Sequence, residues 1–342
     1  MNRWRKDWKD MKTTKLLTTT LAILVLSACG KQPGIEPYDE HPTKRTVAMY
    51  LAGDMLGYDL YDEEWECSTP FEDIDDNTPL CRAIEVLQRR AMGYGYAPWY
   101  DHNFNDKFFP DTYVGWHMML QYVGPQLGYQ DAEHPCIDTF SDITGGDGYS
   151  STWMWFGGLC AKRIIREGDQ INADEYVTWE EWDLLKSRIK EFLDAPSTRI
   201  FAAEHLGKVF VPEKIEILTP YWCSGPHADI PEDTINCHIT QGMWELGYIV
   251  GDPDGNFRPE RSINEAELAK VSVEINDDNF SPEETGCYRI PPGSWFAEYM
   301  DILCEDGYLD TTNAPDDAGE EATNRDIVWL ASDIKIHHPR YE

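Results

Sequence analysis

The sequence predicts a mainly α-helical protein made of two tandem modules of helix–loop–helix repeats, each module stapled by disulfides. Three observations carry this prediction: apolar-periodic segments that open on capping residues, an internal duplication, and an even set of cysteines behind an export signal.

The helix starts are the most local of these. Thr178 with Glu181, Asn264 with Glu267 and Thr323 with Asp326 each place an N-cap side chain three residues before an acid. That spacing lets each side chain satisfy an N–H group the first helical turn would leave unpaired. The caps open apolar-periodic segments over Trp179 to Phe192, Leu268 to Ile275 and Ile327 to Ile336. The related segment Gly115 to Leu127, after Phe109-Pro110, lacks the acid and should be capped differently. Segments after Thr43 and Thr198 look like further copies, which gives each module three such helices around one core.

The duplication is read from matched positions. Cys67-Ser68-Thr69-Pro70-Phe71-Glu72-Asp73-Ile74 and Cys223-Ser224-Gly225-Pro226-His227-Ala228-Asp229-Ile230 share Cys, Ser, Pro, Asp and Ile in register, 156 residues apart. In both, the next cysteine follows fourteen residues on. Upstream, Pro42-Thr43-Lys44-Arg45 opens the apolar run Val47 to Leu56, as Ser197-Thr198-Arg199 opens Ile200 to Leu206. Downstream, Cys136 and Cys160 correspond to Cys287 and Cys304 at looser spacing. The halves are expected at about 41–194 and 195–338.

The N-terminus reads as a bacterial lipoprotein signal. Charged Met11-Lys12-Thr13-Thr14-Lys15 precedes an apolar run, Leu16 to Leu26, too short to span a bilayer, and then Leu26-Ser27-Ala28-Cys29-Gly30. Residues 1–28 should be removed, Cys29 should carry the lipid, including palmitate, and residues 29–41 should form a tether. Removing 1–28 takes away six Lys/Arg and two Asp, which moves the formal charge from −33 to −37. Such acidity excludes a nucleic-acid partner and electrostatic adhesion to anionic lipid, so the acyl chain must hold the membrane.

Nine cysteines are present, and eight remain beyond Cys29. An even number on an exported chain points to four disulfides, with the connectivity left open by count alone. No Cys-x-x-Cys or His-Glu-x-x-His occurs, so zinc and thiol redox chemistry are not expected. Aromatic residues make up 13% of the chain; in small helical repeats such rings mostly fill cores.

The richest local pattern runs from Trp244 to Lys270. Gly247 and Gly251 permit the backbone angles that end a helix, Asp252-Pro253-Asp254-Gly255 is strong turn chemistry, and Phe257 anchors the loop before the Asn264 cap. This stretch resembles the S-layer homology (SLH) repeat, an envelope-anchoring module. The family pattern is a helix ending in Gly-aromatic-aliphatic, a Gly-Asp/Pro-Asp-Gly-x-Phe-x-Pro loop and an Ile-Thr-Arg-Ala-Glu helix start, of which this chain matches the loop closely and the second helix start in part. Phe71-Glu72-Asp73-Ile74 and Phe140-Ser141-Asp142-Ile143 resemble the opening of the same repeat, and His227-Ala228-Asp229-Ile230 takes that place in the second half.

The resemblance implies three repeats in a pseudo-threefold bundle. Together with the duplication, it implies local pairs Cys67–Cys81, Cys136–Cys160, Cys223–Cys237 and Cys287–Cys304, each tying a leading loop to the first helix of its repeat. A staple of that size adds about 3 kcal/mol by constraining the unfolded chain. It also implies a ligand cation, because the residue after the cap of the second helix is often basic in the family and binds an anionic cell-wall polysaccharide between repeats. Carried onto this chain, the position falls on Lys44, Trp179, Arg199, Glu265 and Asn324, of which only Lys44 and Arg199 are basic.

Other chemistry finds less support. Asp252 to Asn256 offers oxygen side chains suited to calcium, but an EF-hand needs Gly and an acid where Phe257 and Ile263 stand, so no metal is expected. Carbohydrate-active catalysis needs only two carboxylates, yet 62 Asp/Glu make close pairs inevitable, and neither a nucleophile elbow nor a nucleotide loop is present. The expectation is therefore a non-catalytic, cofactor-free envelope protein. It would be held by its acyl chain at the outer face of the cytoplasmic membrane or at the outer membrane. Its partner would be cell-wall polysaccharide, peptidoglycan or another envelope protein. The alternatives are an adhesin or assembly subunit that uses the repeats as scaffold, and a carbohydrate-active enzyme.

Overall fold

A computed structural model describes residues 41–93, 107–127, 150–169, 171–172, 175–210, 223, 225, 227–232, 234–275, 294–305 and 319–337. Expectations for Cys29, the tether, Cys136, Cys287 and Phe140 to Ile143 lie outside the described residues.

Among the described residues ten α-helices follow in order: α1 Lys44–Met49, α2 Pro79–Gly93, α3 Trp116–Leu127, α4 Ser150–Ala161, α5 Trp179–Leu193, α6 Arg199–Phe210, α7 Ile235–Glu245, α8 Glu265–Ile275, α9 Ala297–Glu305 and α10 Asn324–His337. A π-helical stretch, Tyr50–Met55, continues α1. Among the described residues there are isolated β-bridges and no strands. One apolar core gathers residues between Val47 and Leu193 together with Val328; a second gathers residues between Ala202 and Ala331.

The capping pairs read from the sequence are in place. Glu181 N donates to Thr178 Oγ1 and Thr178 N donates back to Glu181, a full capping box. Asn264 accepts from Glu267 N at 2.8 Å, and Thr323 N donates to Asp326 at 2.7 Å. Gly115, which has no side chain to cap with, is held by an antiparallel bridge to Tyr176. A Cβ there would sit 3.3 Å from the Glu175 carbonyl.

These helix starts meet in backbone rings. In the second half Ser197 N donates to Ala322 O at 2.7 Å, Ala322 N to Ile263 O at 2.9 Å, and Ile263 N to Ser197 O at 2.9 Å. Each residue of this three-way ring is buried, where an unpaired amide would be costly. The first half builds the same ring with Val114 N to Pro42 O at 3.0 Å and Val177 N to Val114 O at 2.9 Å. Pro42 has no N–H to complete it. Instead the His41 ring donates from Nδ1 to Val177 O at 3.0 Å.

Disulfides join Cys67 to Cys81 and Cys223 to Cys237, each across fourteen residues. The second cysteine of each pair lies in the first turn of a helix whose N-cap is a threonine, Thr78 for α2 and Thr234 for α7. Cys160 and Cys304 are also disulfide-bonded.

The halves are joined through α10. Val328 enters the first core, and Arg325 donates to Asp194 at 2.8 Å and to the Met55 carbonyl at 3.0 Å. Phe192 of α5 meets Phe201 of α6 edge-on at 5.5 Å, with Lys162 Nζ 4.6 Å from the Phe201 ring centre.

Candidate functional site

All five positions carried over for a ligand cation are the first residues of their helices or, for Trp179 and Asn324, likewise open α5 and α10. Trp116 holds the equivalent place at the start of α3, a sixth such position that was not carried over because Gly115 offers no capping side chain to mark the register. Asn324 is buried, and its amide donates to the Phe192 carbonyl at 2.9 Å, so that position serves the junction between the halves.

Lys44 and Arg199 occupy matching environments. Lys44 Nζ donates to Phe108 O at 3.0 Å, and Arg199 Nη1 donates to Phe257 O at 2.6 Å. The two phenylalanines belong to matching loops. Asp73 accepts from the N–H groups of Phe108 and Phe109 at 2.8 and 2.7 Å, and Asp229 accepts from those of Phe257 and Arg258 at 2.8 and 2.6 Å. This clamp holds Phe109 and Arg258 at positive φ, 53° and 56°, a conformation unfavourable for residues with side chains. Burial pushes the Asp229 carboxyl up, but the amides of Phe257, Arg258 and its own residue, with His227 nearby, together hold it below the usual aspartate range. The aspartate of the short motif around residues 73 and 229 is thus a loop clamp.

Arg199 is more elaborately held than Lys44. Its guanidinium lies 4.8 Å from the centre of the Phe257 ring, and Nη1 also pairs with Asp252 Oδ1 at 3.1 Å. Asp252 in turn pairs with Arg258 at 3.2 Å, and Asp254 with Arg258 at 2.8 Å. The carboxylates that resembled a calcium loop are engaged by arginines and backbone amides. Among the described residues no group of three or more His, Cys, Asp or Glu is placed to hold a metal ion.

Beneath this loop sits His227, 5% exposed, its ring 5.4 Å from that of Phe257. Gly251 passes so close, at φ +70°, that a Cβ there would lie 2.5 Å from His227 Cε1. Burial lowers the His227 pKa below its ordinary value, overriding the nearby Asp229 that favours the charged form.

Above the loop a groove of about 150 Å³ opens between α6 and α8, with Arg199, Tyr248, Asp252, Lys270 and Trp295 in its walls. The first turn of α6, the loop after α7, the face of α8 and the segment before α9 therefore converge on one concave surface.

A helical, disulfide-bonded module with a groove between its helices is the class of protein that this geometry defines. The family model described as S-layer homology domain matches residues 245–269, which span the end of α7, the clamped loop and the first turns of α8. Over that segment the chain is similar to a non-catalytic, envelope-associated domain. No curated protein matches the chain.

Proposed function

We propose that this is an exported envelope protein, lipid-anchored at Cys29, whose two helical modules hold cell-wall polysaccharide or peptidoglycan without chemical turnover. The observation that carries the reading is the S-layer homology match at residues 245–269, which falls on the loop and helix that form the groove with Arg199. Supporting it are the export-type N-terminus, the disulfides and an acidity that leaves adhesion to anionic lipid to an acyl chain. Two attachments, one to lipid and one to wall, raise the local concentration of each partner at the other.

Arg199 and Lys44 act in this reading as positioning residues of the site. Each binds the carbonyl of a loop phenylalanine and so sets the shape of the surface the wall polymer meets. Fractionation of cells carrying the natural chain and Cys29→Ser tests the anchor. Membrane association and palmitate labelling should both vanish with Cys29→Ser; a Cys29→Ser chain that still labels and partitions into membrane contradicts the lipid anchor.

A further inference from the structure

Three of the four charged side chains in the groove between α6 and α8 are engaged within the protein. Its walls hold two cations, Arg199 and Lys270, and two carboxylates, Asp252 and Glu267. Arg199 is engaged by Asp252 and the Phe257 carbonyl, and its side chain is only 13% exposed. Asp252 also faces Arg258 at 3.2 Å, while Glu267 pairs with Arg261 and accepts from Asn264 N. Among the described residues Lys270 has no ion-pair partner, and the rest of what the groove offers to solvent is apolar. Trp295 is 57% exposed and Val250 63% exposed, with Phe296 bracing the indole at right angles, 5.5 Å between ring centres.

We propose that this groove takes an uncharged sugar segment, laid on the Trp295 indole with Lys270 donating to a hydroxyl or acetamido oxygen, rather than an acidic polymer. The inference rests on the reading of the groove as the wall-binding site and names the class of glycan it accepts. To bind an anion through Arg199, the ligand must displace the mostly buried Asp252 from that guanidinium, and an acidic polymer must approach a chain of net charge −33 to reach either Arg199 or Lys270. A pyranose ring meets neither obstacle. Its C–H face covers the exposed indole, and its hydroxyls need only donors and acceptors.

The test is retention of the full chain on purified wall material, at low and high salt, before and after the acidic polymers are chemically stripped from the wall. Retention should persist at high salt, where exposed charge–charge attraction is screened, and should survive stripping. N-acetylglucosamine oligomers should compete for it. Trp295→Ala should weaken retention about tenfold or more and Trp295→Phe much less; the exposed position lets both variants fold, which circular dichroism checks. Retention abolished by salt or by stripping, or unchanged in Trp295→Ala, overturns the proposal while leaving wall binding intact. No retention under any condition overturns wall binding itself, and this proposal with it.

Discussion

His41 Nδ1 donates to the carbonyl of Val177 at 3.0 Å, at the place where the second half of the chain uses the backbone N–H of Ser197 to reach Ala322. A side chain thus completes a buried backbone ring that Pro42 cannot complete. His41→Ala should destabilise the first module by about 1–2 kcal/mol, because the Val177 carbonyl loses its partner. Adding Pro42→Ala to that variant supplies a new amide and should recover part of the loss. Urea unfolding of the natural chain and the two variants measures both effects.

The clamp aspartates should matter more than their exposure implies. Asp229→Ala removes two charge-assisted acceptors from the amides of Phe257 and Arg258 and leaves Arg258 unsupported at positive φ. The expected cost is about 2–4 kcal/mol, and Asp73→Ala should behave alike in the first half. Thermal unfolding of both variants checks the equivalence of the two loops.

Gly251 has no tolerated replacement. At φ +70° and with His227 Cε1 at 2.5 Å from an added Cβ, Gly251→Ala meets backbone strain and a steric clash together. A loss of about 2–3 kcal/mol is expected, where a substitution at Gly247, also at positive φ but with open space around it, should show only the strain. Chemical denaturation of the two alanine variants separates these contributions.

Acid should loosen the groove through His227. Its pKa is lowered in the folded chain, first by burial, with the Arg199 charge acting in the same direction and Asp229, the Gly255 carbonyl and Asp252 opposing. Because the unfolded state then takes up the proton more readily, this contribution is fully present above the ordinary histidine value of about 6.5 and is lost as pH falls below it. His227→Gln should flatten the fall in melting temperature between about pH 7 and pH 5. An unchanged slope would assign the effect to other groups, with His117, also lowered by burial, the next candidate.

The junction between halves has its own signature. Arg325→Ala breaks the contacts to Asp194 and to the Met55 carbonyl, costing about 1 kcal/mol at neutral pH. Burial raises the Asp194 carboxyl, but Lys190 and Arg325 outweigh it and hold it below the usual range. The pair therefore contributes above the ordinary aspartate value and is lost as pH falls through the folded one. Calorimetry should show a less cooperative transition in Arg325→Ala at neutral pH, and the difference from the natural chain should vanish in strong acid.

Much of the helical framework was legible because capping is local chemistry. Thr178, Asn264 and Thr323 announce their helices through residues only three positions away. The Asp-Pro-Asp-Gly turn and Phe257 were readable for the same reason. The segment Gly115 to Leu127 was legible too, within one residue of α3, but not what holds its start: Gly115 is bridged to Tyr176, a contact across 61 positions that no local pattern encodes. The site was legible only in outline. Sequence placed Arg199 and Lys44 at equivalent positions, but their engagement with Phe257 O and Phe108 O comes from chain segments more than fifty residues away. The exposure of Trp295 was not legible, since an indole in a small helical repeat is read as core until the fold is known.

The most direct test of the central claim is cosedimentation of the full chain carrying Cys29→Ser with purified cell wall, which removes the lipid anchor and leaves only the helical modules. The account predicts saturable retention in the wall pellet. A chain that stays folded and remains in the supernatant at every wall concentration contradicts it.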